Sequence, residues 1–353
     1  MIKNIHIKGF KCFDNEKIDF SNLTVITGPN SSGKSSLIQA VLINLNHTNF
    51  TEQEVTAYLD SLGDFIDLKN KNTNPDKFSI DIELSGGKVL SYFEDGMLSR
   101  LNTILLLGTN SNNNNLSSCY LSANRQPITE ISTGINFVEG MSCGIYAQYI
   151  SNYYYFYNSE EIQDKELIHK NSNANTLEAQ VNYWLSYICD TELSFLVDKV
   201  TSTVYKSYYK INNQEYKPQN LGAGISYLIA ILTKALLMTK MVQEVFIIEN
   251  PEIHLHPKSQ ARLAEFFAFV ARTGRQIIIE THSEHLVSKL RYCVYKKQID
   301  SSQVIIQYRQ PDKFERIEIL PNGKVINEMG EHSFPRGFFD ATLDNIFEIN
   351  SNV

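Results

Sequence analysis

An α/β fold with a parallel-sheet core is the expectation, and three stretches of the sequence carry it. Val25-Ile-Thr-Gly28-Pro-Asn-Ser-Ser-Gly33-Lys34-Ser35-Ser36 places a G-x-x-x-x-G-K-[ST] loop between an apolar run and a helix-spaced apolar pattern. Val245-Phe-Ile-Ile-Glu249 is an unbroken apolar run ending in a carboxylate. Gln276-Ile-Ile-Ile-Glu280 is a second buried strand by the same reading, and it ends at Thr281-His282-Ser283. Apolar runs without alternation suit strands covered on both faces, the condition of a parallel sheet. Polar residues at their C-terminal ends fall where ligands collect in such sheets.

The first stretch reads as a Walker A phosphate loop. Gly28 and Gly33 let the backbone curl so that its N–H groups face phosphate oxygens, Lys34 reaches the β- and γ-phosphates, and the Ser35 hydroxyl ligates Mg²⁺. Gly28, Asn30, Ser31, Ser32, Gly33, Lys34, Ser35 and Ser36 are therefore the expected nucleotide contacts. The flanks agree with strand, loop, helix: residues 23–26 are apolar, and Leu37, Ile38, Val41, Leu42 and Leu45 recur at helical spacing.

Residues 2–7, 17–20 and 23–26 read as three short N-terminal strands, and the alternating runs 78–84 and 89–93 as a hairpin across Ser85-Gly-Gly-Lys88. Gly108-Thr-Asn-Ser-Asn-Asn-Asn-Asn115 has the composition of a surface loop. Tyr149, Tyr153, Tyr154, Tyr155, Phe156 and Tyr157 read as core or subunit contact rather than a stacking platform for bases, because few basic residues interleave with them. Residues 177–187 look helical. Asn220-Leu-Gly222-Ala-Gly224-Ile-Ser226 opens a nearly all-apolar helix and is either an anion-facing N-terminus or a plain Gly-rich helix start. His254 and His256 more simply shape the turn after the strand than bind zinc, since no third ligand stands nearby. Residues 258–297 hold Lys258, Arg262, Arg272, Arg275, Lys289, Arg291, Lys296 and Lys297 against Glu265, Glu280 and Glu284. This basic lobe reads as a solvated helix surface, with a DNA contact as the competing reading. Residues 304–308 and 316–320 are further strands.

At 353 residues the chain suggests about two domains, and its net charge of −7 gives no global attraction to polyanions. The five scattered cysteines show neither a disulfide framework nor a zinc spacing. The first residues lack a signal-peptide core, and no apolar run approaches the ~20 residues of a membrane helix, so a cytoplasmic setting is expected.

In their order, the phosphate loop, the Gly-rich helix start, the apolar strand with its carboxylate and the strand ending in His resemble the ATP-binding-cassette (ABC) class of ATPases. The likeness is closest to the RecF/SMC/OLD-like branch of bacterial genome maintenance and anti-phage defence. Glu249-Asn-Pro-Glu-Ile-His-Leu-His-Pro257 and Thr281-His-Ser-Glu-His285 resemble one subgroup of predicted AAA-type ATPases there, and Pro335-Arg-Gly-Phe-Phe-Asp340 resembles its small C-terminal domain of unknown function. The resemblance implies a discontinuous ABC-type ATPase domain at 1–100 with 205–310, with a mixed or antiparallel N-terminal β subdomain, an inserted and mainly helical region at 101–204, and a small C-terminal domain at 311–353.

It further implies ATP and Mg²⁺ as ligands, with Ser35 and Glu249 on the metal side. Two copies, or a higher even number, would sandwich the nucleotides, and Gly222, Gly224 and Ser226 of one copy would close over the γ-phosphate of the other. His282 resembles the histidine that senses that phosphate. Asn250 falls where many such ATPases carry the glutamate that polarises water; an amide orients water but takes no proton, so turnover is expected to be slow, with Glu252 helping. The chain shows no nuclease motif, and the stretch after His282 is short for the nuclease domain that OLD proteins append, so a separate effector, a nuclease, is the expected partner. A non-hydrolysing, nucleotide-gated module is the alternative; a transporter ATPase suits the long insertion poorly.

Overall fold

The computed structural model describes residues 1–45, 53–94, 116–135, 142–239, 243–332 and 334–335. The Asn-rich tract at 108–115 and all but the first residue of the motif at 335–340 lie outside the described residues. In chain order the elements are β1 (Ile2–Phe10), β2 (Phe13–Asp19), β3 (Leu23–Thr27), α1 (Lys34–Leu45), α2 (Gln53–Asp60), α3 (Phe65–Leu68), β4 (Lys77–Leu84) and β5 (Gly87–Glu94). They continue with β6 (Leu116–Leu121), β7 (Ile131–Thr133), α4 (Ile150–Tyr157), α5 (Leu177–Cys189), β8 (Leu193–Lys199), β9 (Val204–Ile211) and β10 (Gln214–Tyr216). The last third holds α6 (Ala223–Leu237), β11 (Gln243–Glu249), α7 (Pro257–Ala271), β12 (Gln276–Glu280), α8 (Glu284–Tyr295), β13 (Val304–Arg309), β14 (Phe314–Ile319) and β15 (Val325–Asn327).

Among the described residues the strands form three sheets. The N-terminal one is antiparallel, in the order β2-β1-β4-β5, and contains the expected hairpin. The central sheet has the order β15-β14-β13-β3-β12-β11-β6; its middle strands are parallel, while β14 and β15 run antiparallel at one edge. A third, small sheet joins β7, β8, β9 and β10. Successive residues of the central strands go to opposite faces, as the two-residue period of a strand requires. Phe246, Ile248, Ile277 and Ile279 enter one core with α5 to α8; Val245, Ile247 and Ile278 enter another with α1 and the N-terminal sheet. Coverage on both sides explains why these strands read as unbroken apolar runs.

Two expected boundaries look different in space. β6, inside the expected insertion at 101–204, pairs in parallel with β11 and closes one edge of the central sheet. That insertion carries α4 and α5 together with β6, β7 and β8. β14 and β15, inside the expected C-terminal domain at 311–353, extend the other edge. β6 owes its place to a partner far along the chain, whereas β14 and β15 follow β13 as an antiparallel meander from the strand just before them. The Tyr-rich stretch forms α4, with Tyr153 and Tyr154 buried and the Tyr154 hydroxyl donating to the Phe195 carbonyl at 3.2 Å.

Gln276 is one of the side chains that join the N-terminal sheet to the central one. Buried Gln276, at the start of β12, accepts from the Ile2 amide at 2.7 Å and donates to the carbonyls of Ile2 and Ser21 at 2.8 and 3.1 Å. Replacing it by Leu strands buried backbone groups, each costing about 1–3 kcal/mol. Gln276→Leu should therefore lower unfolding free energy by roughly 2–4 kcal/mol, read from the urea midpoint at an unchanged m-value.

Candidate active site

The phosphate loop hangs between the end of β3 and the start of α1. Its curl is real: Gly28, Ser31 and Gly33 have φ of +141°, +58° and +110°. Glycine is required at both ends for space as well. A Cβ on Gly28 would lie 2.8 Å from the Arg309 carbonyl oxygen, and one on Gly33 would lie 2.4 Å from Cys12 Sγ. Lys34, 4% exposed, folds back over the loop and donates to the carbonyls of Gly28 and Pro29 at 3.1 and 2.7 Å. Burial lowers its pKa, and the nearby Glu280 carboxylate opposes this.

The carboxylate that meets the Ser35 hydroxyl is Glu280, not Glu249. Ser35 Oγ lies 3.2 and 3.4 Å from the two Glu280 oxygens. Strand order is the reason: β12 lies between β3 and β11, so its last residue stands beside the loop and Glu249 stands one strand further out. The two acids are register partners on adjacent parallel strands. Glu249 accepts from the Ala123 amide at 3.1 Å, and burial raises its pKa. The Glu280 carboxyl is pushed up to about 7, first by burial and then by the charge of Glu249.

The turn after β11 supplies the next groups. Asn250 has a left-handed φ of +42°, and its amide donates to the Glu280 carbonyl at 2.7 Å. Glu252 Oε1 accepts from the His282 amide at 2.8 Å. Among the described residues, buried Asn250 Oδ1, Glu252 Oε2 and Ser32 Oγ have no hydrogen-bond partner. Partial burial and the Lys34 charge lower the His282 pKa, which keeps its ring neutral at pH 7. His256 caps α7 through Nδ1, accepting from the Lys258 amide at 3.3 Å.

Arg125, from the region between β6 and β7, ties this turn down. Its guanidinium donates to the carbonyls of Ser122 at 2.8 Å, Glu249 at 2.7 Å and Asn250 at 2.7 Å, and lies 5.5 Å from the centre of the Tyr227 ring on α6. Burial brings its pKa down to about 10, so it stays cationic at pH 7.

The Gly-rich start of α6 divides. Gly222 is the exposed N-cap with open space around it. Gly224 packs on the turn after β11, where a Cβ would lie 2.6 Å from the His254 carbonyl oxygen. Ser226 is 4% exposed and sits beside Tyr209, because helical periodicity puts it on the buried stripe. Its hydroxyl therefore faces the core rather than an incoming ligand.

Four of the eight cations of the basic lobe are held in ion pairs, three by acids outside its own stretch and Lys289 by Glu265 within it. Asp190 pairs with Lys258 and, at 2.7 Å, with Arg262; Asp164 pairs with buried Arg275 at 3.0 Å; Glu265 pairs with Lys289 at 2.5 Å. Arg291 is engaged by the Gly323 carbonyl at 2.9 Å.

A phosphate loop, a carboxylate at its serine and a Gly-started helix thus belong to one end of the central sheet, and comparison with known proteins gives the family. A family model described as an AAA ATPase domain matches residues 1–189 and 145–287. The chain belongs to this ATPase family. Its fold is that of an SMC head. The ATPase aligns over 90% of its length with 97% of an SMC head domain bound to the C-terminal winged-helix domain of ScpA, at a TM-score of 0.52 and 15% identity. It also aligns over 90% of its length with 96% of an SMC head bound to the C-terminal domain of ScpA, derived from Pyrococcus furiosus, at a TM-score of 0.50 and 14% identity. An ATP/GTP phosphatase of Helicobacter pylori is 52% identical over 42 residues, which is 12% of this chain and 11% of that protein. The ATPase thus spans about a tenth of that curated relative.

Glu280, Arg125 and Arg309 are the residues that reading the sequence missed. For Glu280 the signal was present, since Gln276-Ile-Ile-Ile-Glu280 repeats the apolar-run-and-carboxylate pattern of residues 245–249. A carboxyl whose folded pKa is about 7, against an ordinary 4.5, contributes stability that is whole below pH 4.5 and is lost as pH rises through 7. In metal-free buffer Glu280→Gln should match the wild type near pH 4.5 and exceed it in stability by about 3 kcal/mol above pH 7.5, on the scale of ~1.4 kcal/mol per pH unit. Denaturant titrations at several pH values give the comparison.

Proposed function

We propose that this chain is a slowly hydrolysing ATPase switch, in which ATP joins two copies and hydrolysis releases them. The observation that carries the reading is the Glu280 carboxylate at the Ser35 hydroxyl, with Glu249 as its register partner on the next strand and the unpartnered Asn250 Oδ1 and Glu252 Oε2 on the turn that follows. Crowded acids with raised pKa values fit a divalent cation, which would take the place of the protons they otherwise retain. Ser35, Glu280 and Glu249 would hold Mg²⁺, which when bound offsets phosphate charge and polarises the transferred group.

Within that frame the chain's own groups divide the work. The loop amides from Gly28 to Ser36, with Asn30 and Ser31 on its outer side, bind the phosphates, and Lys34 leaves its carbonyl contacts to follow them. Asn250 Oδ1 orients the attacking water, and Glu252 Oε2 takes its proton. His282, neutral and tied through its amide to Glu252, reports the γ-phosphate. Gly222 and the exposed start of α6 close over the nucleotide of the second copy. Ser226, facing inward, serves the packing of that helix.

Closure then controls a separate effector, a nuclease, in anti-phage defence or DNA maintenance in the bacterial cytoplasm. This rests on the resemblance of the ordered motifs and on the likeness to SMC heads bound to a domain of another polypeptide. DNA contact through 258–297 is not part of the proposal, since ion pairs hold half of its eight cations. No helix among the described residues is long and apolar enough to cross a membrane.

Light scattering on the purified chain tests the switch. With ATP·Mg²⁺, Glu252→Gln should accumulate as a dimer and release phosphate at least about a hundredfold more slowly than wild type, while Lys34→Ala should bind no ATP and stay monomeric. A mass indifferent to nucleotide in all three proteins would defeat the dimer reading; fast turnover by Glu252→Gln would remove Glu252 from the chemistry.

A further inference from the structure

The phosphate loop is held from behind by one buried cation. Arg309, at the end of β13, is 1% exposed. Its Nε donates to the Ser32 carbonyl at 2.8 Å, and its Nη1 pairs with Glu16 on β2 at 2.9 Å. Phe13 and Phe314 enclose the guanidinium, with ring centres 5.2 and 5.1 Å away. Glu16 is fixed in turn, because its other oxygen accepts from the Phe314 amide. The Arg309 backbone meanwhile packs against Gly28. One residue therefore touches the loop at its first glycine and again at the carbonyl just before its second.

We infer that Arg309, oriented by Glu16, is a positioning residue for nucleotide binding. In a curled loop, carbonyl and amide of one peptide point in opposite directions. Drawing the Ser32 carbonyl outward to the guanidinium turns the Gly33 amide inward, toward where phosphate oxygens would lie. A loop pre-set in this way does not have to be ordered by its ligand, so the anchor raises affinity while the bound state stays the same. Lysine cannot substitute, since it lacks the planar fork that meets a carbonyl and a carboxylate at once between two rings. The inference rests on the nucleotide-binding reading above and adds the part played by the N-terminal sheet, which supplies Glu16 and Phe13.

A neighbouring ion pair is the control. Arg316 on β14 bonds Asp19 on β2 at 2.7 Å, joining β2 to the strand next to β13 at a half-exposed position. Fluorescent ATP and ADP analogues with Mg²⁺ are titrated into wild type, Arg309→Lys, Glu16→Gln and Arg316→Ala, alongside melting curves and saturating-ATP turnover. Arg309→Lys and Glu16→Gln should raise Kd for both nucleotides by about tenfold with kcat near wild type, and Arg316→Ala should leave Kd unchanged. If Arg309→Lys does not fold, Glu16→Gln decides, because it keeps the size of the side chain. A lowered Tm with wild-type Kd would reduce Arg309 to a packing residue and overturn the inference. Wild-type protein that binds neither nucleotide would sink the functional reading and the anchor together, whereas wild-type affinity retained in both variants would sink the anchor alone.

Discussion

Two carboxylates side by side at the end of two parallel strands form the arrangement on which the rest of the site depends. Glu249 and Glu280 are register partners, both are buried, and burial raises the pKa of both. Such a pair is costly to ionise without a cation and inexpensive with one. The surrounding structure accepts that cost and holds the pair rigidly. Arg125 grips the carbonyls after β11, the Ala123 amide fixes one Glu249 oxygen, and the Ser35 hydroxyl meets Glu280. The apo protein is thereby biased toward whatever brings positive charge to the loop.

The central sheet makes this affordable. Its strands are buried on both faces, so their ends cannot drift, and their C-terminal edge gathers loops from distant parts of the chain. Helix α6 connects this edge to the surface. Its second glycine sits against the His254 carbonyl, and its Tyr227 ring lies under Arg125. Any shift in the turn that carries Asn250 and Glu252 therefore presses on the start of that helix.

Local patterns were legible in the sequence, and spatial neighbours were not. The phosphate loop, the first and third strands, the hairpin and the two apolar runs are encoded within a few residues each and stand where the pattern puts them, while β2 begins four residues earlier than the expected 17–20. The partner of Ser35 depended on strand order, which no single stretch contains. Arg125 and Arg309 act through carbonyls and rings at long sequence separation, and nothing beside them in the chain marks them. The charge of the basic lobe was only partly legible, because a stretch counts only its own acids, while Asp164 and Asp190 lie outside it. Ser226 was misplaced for a simpler reason: a hydroxyl near a helix start can face inward as well as outward.

Paramagnetic resonance of Mn²⁺ bound with ATP tests the central claim most directly, because it reads the metal apart from turnover. Titrated into wild type, Glu249→Gln and Glu280→Gln, Mn²⁺ should lose affinity by about tenfold or more in Glu280→Gln, at least as much as in Glu249→Gln. Wild-type Mn²⁺ affinity in Glu280→Gln, with the loss confined to Glu249→Gln, would contradict the account and return the metal to the outer strand alone.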